Sequence, residues 1–188
     1  METKETKQRF ETRKLVFAAV SIALATVISV AVKLPSLPNG GSVTLFSMLM
    51  ITMIGYWYGP GFGIISGIVY GILQFITGPY VVHPLQVILD YPLAFGALGL
   101  SGFFHDRKNG LIIGYITGVF GRFFWACISG IIFYTEYVGN LQGNLIAVWG
   151  SILYNLTYLL PEAVMTIVVL LVPAVRKALS HIKGLALE

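Results

Sequence analysis

Three ionisable side chains fall inside long apolar runs: Asp90, Arg122 and Glu162. A charge within hydrocarbon is costly, so such a group either finds a partner or serves a solute. Arg122 lies 11 residues after Leu111, and Glu162 lies 11 residues before Pro173. In helices, both positions are about 16 Å deep from the same membrane face. Equal depth predicts an interhelical ion pair, with a functional role for either group as the other reading. Asp90 has no basic residue at its depth, about one and a half turns into its run. It is either a protonated or water-exposed rim aspartate, or a carboxylate awaiting a cationic or amine-bearing ligand.

Polar and aromatic groups surround these positions. Asn155 sits about 15 Å into the last long run, where an amide needs a partner in a neighbouring helix or in a ligand. Tyr80 and Tyr91 flank Asp90, and Tyr134 ends the following run. They form either an interfacial belt or a cage for a flat or cationic molecule. Enzyme signatures are missing: there is no H-E-x-x-H, G-x-S-x-G or Walker A pattern. His83, His105 and His181 all lie in connections or the tail. The lone Cys127 makes no internal disulfide and no cysteine metal site. The expectation is neither an enzyme nor a cofactor protein. Any uphill transport would draw its energy from a partner or an ion.

The elements that must position these groups are membrane helices. Of 188 residues, 56% are hydrophobic and 11% charged, where a soluble domain carries about 25% charged residues. Six spans are expected: Leu15–Leu34, Val43–Tyr58, Gly61–Gly78, Leu85–Phe104, Leu111–Tyr134 and Leu145–Pro173. They make an all-α bundle over residues 15–175, flanked by an N-terminal segment, 1–14, and a tail, 176–188. Lys4, Lys7, Arg9, Arg13, Lys14, Arg107, Lys108, Arg176, Lys177 and Lys183 all fall on one side of a six-span chain, with only Lys33 opposite. That asymmetry predicts cytoplasmic termini. The net charge of +4 is therefore spread over helix ends, which argues against nucleic acid as a partner and for a lipid bilayer.

No internal repeat supports the architecture of a stand-alone secondary transporter, which is kept as the alternative of a different class. Gly59, Gly63, Gly67 and Gly71, and again Gly110, Gly114 and Gly118, recur every four residues. Such ladders form smooth faces for close helix packing.

Several stretches resemble the thiamine-specific substrate-binding (S) components of energy-coupling-factor (ECF) transporters. They are Leu37-Pro38-Asn39-Gly40-Gly41-Ser42-Val43, Tyr70-Gly71-Ile72-Leu73-Gln74-Phe75, Gly78-Pro79-Tyr80, His83-Pro84-Leu85-Gln86 and Leu89-Asp90-Tyr91-Pro92-Leu93-Ala94-Phe95. Arg122-Phe123, Ser129-Gly130, Tyr154-Asn155 and Pro161-Glu162 continue the resemblance. It implies a six-helix S-component in a bacterial plasma membrane. Such a protein binds a vitamin near the outer face, beneath the loop between the first two helices. It then docks on a membrane coupling protein driven by two ATPase subunits. The ligand positions carried over are Asp90, Tyr91, Asn155, Gly130, Tyr70, Tyr80, Tyr134 and Asn39, the last in the covering loop. Ala19 and Ala23 match the family's small-residue docking face, although an alanine-rich helix packed within the subunit would look the same. The chain departs from the family pattern at Ala126 and Gly150, where histidine and tyrosine are usual, and at Tyr134, where tryptophan or phenylalanine is common. The expected ligand is thiamine, with a vitamin B6 form (pyridoxine or pyridoxamine) or the thiamine pyrimidine precursor as the alternatives.

Overall fold

The computed structural model describes residues 4–32, 37, 41–133 and 144–188. Seven helices occur among them: α1 Lys4–Ala31, α2 Ser47–Tyr58, α3 Pro60–Thr77, α4 Pro84–Phe104, α5 Gly110–Ile132, α6 Asn144–Leu171 and α7 Pro173–Leu187. Five of them are long and apolar enough to cross a membrane: α1 from Gln8, α3, α4, α5 and α6 from Leu145.

The second expected span, Val43–Tyr58, holds a shorter helix. α2 has 12 residues, about 18 Å of helix against a hydrocarbon core of about 30 Å. Its apolar composition has another cause. Met48, Ile51 and Ile54 are fully buried, and α2 packs against α1, α3, α4 and α5. It is core helix, which is apolar whatever surrounds the protein. The two flanks are helical as well. α1 already begins at Lys4, and the tail forms α7.

The long helices carry their apolar side chains outward as well as inward. On α1, Ala18, Ser21, Ala25 and Ser29 are buried, at helical spacing, while Leu15, Val16, Val20, Leu24 and Val27 are exposed. Small residues face the protein and large apolar residues face away from it, as suits a helix whose outer solvent is lipid. Both glycine ladders pack inside the subunit. Gly67 and Gly71 lie against the backbone of Phe95 and Tyr91 on α4, and Gly114 and Gly118 against Ser101 and Leu98 on its other side.

α4 therefore sits between two close neighbours, and its own path is irregular. It is α-helical over Pro84–Ile88, π-helical over Leu89–Leu93, α-helical again over Ala94–Gly96 and 3-10 over Ala97–Phe104. Pro92 explains the wide turn: it offers no backbone N–H, and its ring would collide with the carbonyl one turn earlier. The widened turn carries Asp90 and Tyr91.

The basic segments gather at one end of the bundle. Arg176 donates to Asn109 Oδ1 at 2.8 Å and Lys183 donates to the His105 carbonyl at 2.8 Å, which ties α7 to the α4–α5 connection. Tyr58 donates to the Ala186 carbonyl at 3.2 Å and meets the Phe10 ring edge-on, which brings in the N-terminal turns of α1.

Candidate functional site

At the opposite end, a cavity of about 410 Å³ opens between the ends of α1, α3 and α5 and the starts of α4 and α6. Its volume suits a small organic ligand. Of the expected ligand positions, Tyr70, Tyr80, Asp90, Tyr91, Gly130 and Asn155 all line it. Asn39 and Tyr134 lie outside the described residues. Ala126 and Gly150 line the same cavity, so the two departures from the family pattern remove bulk from its wall.

Asp90 is held by a residue of its own helix. Gln86, one turn earlier, donates from Nε2 to Asp90 Oδ2 at 2.6 Å. The same amide donates to the Tyr80 carbonyl at 3.3 Å, and its Oε1 accepts from Val82 N at 3.1 Å. Gln86 is 1% exposed, so this buried amide fixes both the carboxylate and the α3–α4 connection. The Asp90 carboxylate also lines the cavity and comes close to the Ser129 hydroxyl.

The aromatic residues are braced from behind. Tyr91 Oη accepts from Tyr80 N at 3.0 Å, and its ring meets Phe75 edge-on. Tyr70 is buried, donates to the Ala25 carbonyl at 3.4 Å and meets Phe95 edge-on at 5.1 Å between centroids. Tyr154 and Tyr158, which the sequence reading did not select, also line the cavity. They stand one turn apart on α6, on either side of Asn155.

Asn155 is committed to the protein. Its Nδ2 donates to the Ser151 carbonyl at 2.9 Å and the Ala126 carbonyl at 3.3 Å, and its Oδ1 accepts from Tyr158 Oη. It thereby staples α6 to α5 at the cavity wall. Gly130 belongs to the same contact, because a Cβ there would collide with Ser151 Oγ. That oxygen donates to the Cys127 carbonyl at 2.9 Å.

Among the described residues Arg122 and Glu162 make no direct ion pair, although Arg122 lies within electrostatic reach of Glu162. Glu162 Oε2 accepts from Thr44 Oγ1 at 2.8 Å, and Oε1 accepts from Ser47 Oγ and Met48 N, each at 3.1 Å. The start of α2 supplies closer donors than the arginine does. Arg122 instead lines the cavity, with its guanidinium 4.1 Å from the Phe95 ring centroid. The cavity thus carries an arginine that the sequence placed in a structural pair.

Ala19 and Ala23 lie on the exposed side of α1, one turn apart and away from the bundle core. Packing within the subunit does not use them.

Comparison with known proteins gives a consistent result. The sequence model of the family described as thiamine transporter protein matches residues 15–181. Thiamine transporter ThiT of Bacillus subtilis (strain 168) is 31% identical over 173 residues, which covers 84% of this chain and 88% of that protein. ThiT of Lacticaseibacillus paracasei is 34% identical over 120 residues, covering 57% of this chain and 58% of that protein. The solved structure of ThiT from Listeria monocytogenes shares the fold, with a TM-score of 0.61 at 23% identity, covering 84% of this chain and 92% of that one. The family is one of membrane transporters and not of enzymes. With the family model spanning most of its length, this multi-pass membrane protein belongs to the thiamine transporter protein family.

Proposed function

We propose that this chain is the thiamine-binding S-component of an ECF importer. The observation that carries the reading is the cavity: the Asp90 carboxylate on its wall between braced tyrosines, at the end of the bundle away from the basic segments. Thiamine offers an aminopyrimidine for hydrogen bonding, a cationic thiazolium for the carboxylate, and two flat rings for aromatic walls. Charge-assisted contact and ring packing are the interactions such a ligand needs.

The size of the cavity favours thiamine over a B6 vitamer. Ala126 and Gly150 widen the wall, and a wider site suits a two-ring ligand better than a single pyridine ring. Arg122 lines the same cavity and lies within electrostatic reach of Asp90.

The positive-inside rule places the basic end in the cytoplasm, with both termini, and the cavity at the outer face. α2 completes the bundle as a sixth, short membrane-embedded helix. Docking on a coupling protein through the Ala19–Ala23 face fits their outward position, because small residues one turn apart admit a partner backbone closely. Two ATPase subunits would supply the energy.

The test is coexpression with a coupling protein and its ATPase pair, followed by affinity purification through this chain. A stable complex that takes up labelled thiamine is expected. Thiamine uptake by this chain alone in proteoliposomes, driven by an ion gradient, would overturn the reading in favour of a self-sufficient transporter.

A further inference from the structure

Glu162 is 2% exposed, does not line the cavity, and yet spends its whole carboxylate on one short stretch of chain. That stretch runs into α2. Phe46, the residue before the helix, has left-handed backbone angles (φ 62, ψ 3) and caps nothing with its side chain. A bulky residue in this region is strained and persists only where its surroundings hold it. The first N–H groups of α2 also need acceptors, since no earlier turn supplies them. Glu162 meets both needs from another helix. It accepts from Met48 N and the hydroxyls of Thr44 and Ser47, which supplies the acceptors a helix N-terminus needs, and Arg122 lies within electrostatic reach of it.

A second anchorage lies on the same stripe of α6. Tyr154, Tyr158 and Glu162 are spaced four residues apart, so they align along one helix face. Gly41 N donates to Tyr154 Oη at 2.8 Å. A Cβ on Gly41 would stand 2.8 Å from Tyr158 Cδ1, so the chain rests directly on that ring. Gly41, Ser42 and Thr44 line the cavity. The 41–48 stretch is therefore a cavity wall laid along α6 and fastened at both ends.

We propose that Glu162 is a positioning residue that holds the Gly41–Met48 wall against α6 and thereby sets how fast ligand leaves the cavity. It touches no ligand itself. The inference rests on the proposed function only for the choice of thiamine as probe.

The experiment compares wild type with Glu162→Ala and Glu162→Gln in lipid nanodiscs. Amide hydrogen exchange is read without ligand, and thiamine association and release are read by stopped-flow fluorescence. In Glu162→Ala, exchange over residues 44–48 rises about tenfold or more while the α4–α5 core stays protected. Thiamine release accelerates about tenfold or more, with association changed less than about threefold. Glu162→Gln keeps an acceptor for Met48 N and recovers most of both effects. Unchanged exchange over 44–48 overturns the proposal, and so does a uniform rise that includes the core, which would mark Glu162 as a fold residue only. If Glu162→Ala does not fold, Thr44→Val combined with Ser47→Ala removes two of the three donors and is judged by the ligand-free exchange over residues 41–48 alone, because both residues line the cavity. Should wild type fail to bind thiamine, the proposed function falls, and the ligand-free exchange still decides this inference.

Discussion

Replacing Asp90 with asparagine removes one charge from the cavity and leaves its scaffold standing. Gln86 Nε2 donates to Asp90 Oδ2 at 2.6 Å, and an asparagine Oδ1 accepts that bond equally well. Gln86 would still hold Val82 N and the Tyr80 carbonyl, so the α3–α4 connection should not move. What is lost is one carboxylate oxygen together with the charge. A hydrogen bond to a charged group contributes about 1.5–3 kcal/mol, so thiamine affinity should fall by at least about tenfold, the equivalent of 1.4 kcal/mol. The neutral pyrimidine precursor serves as internal control. It lacks the thiazolium and should lose less than thiamine does. Isothermal titration of both compounds against both proteins measures the difference. Equal affinity of wild type and Asp90→Asn for thiamine would refute the assignment of Asp90 to the site.

Gln86→Leu should be worse for the fold than Asp90→Asn, since it leaves Val82 N, the Tyr80 carbonyl and Asp90 Oδ2 without their partner. A loss of about 1–3 kcal/mol is expected for a buried polar group so orphaned, seen as a lower thermal midpoint in detergent. Gly130→Val drives a branched side chain into Ser151 Oγ; overpacking of this kind costs about 1–3 kcal/mol and should weaken ligand binding with stability, by thermal shift and titration together. Ala19→Trp and Ala23→Trp sit on the exposed side of α1 and should abolish uptake by the reconstituted complex while the isolated subunit binds ligand normally. Uptake that survives both changes places the docking face elsewhere.

The ionisable positions were legible in the sequence because a charge in an apolar run stands out whatever the fold. Their partners were less so. Gln86 lies four residues before Asp90 on one helix face, a spacing that brings side chains together and that could have revealed the pair. The donors to Glu162 were hidden, since Thr44, Ser47 and Met48 are more than 110 residues away in sequence. Depth matching selected Arg122 instead, because it compares charges and is blind to hydroxyls and backbone N–H groups. α2 was legible as a helix but not in its length or surroundings, because burial in protein and burial in lipid both select apolar residues. Pro92 signalled an irregular helix, but only the packed structure shows that the irregularity is a π turn displaying Asp90 and Tyr91.

The most direct test of the account is calorimetric titration of the purified subunit with thiamine, the pyrimidine precursor, pyridoxine and pyridoxamine under identical conditions. Thiamine is predicted to bind with a single site per chain, and more tightly than each of the other three. A pyridoxine or pyridoxamine isotherm in the absence of any thiamine heat or competition would contradict the account at its centre.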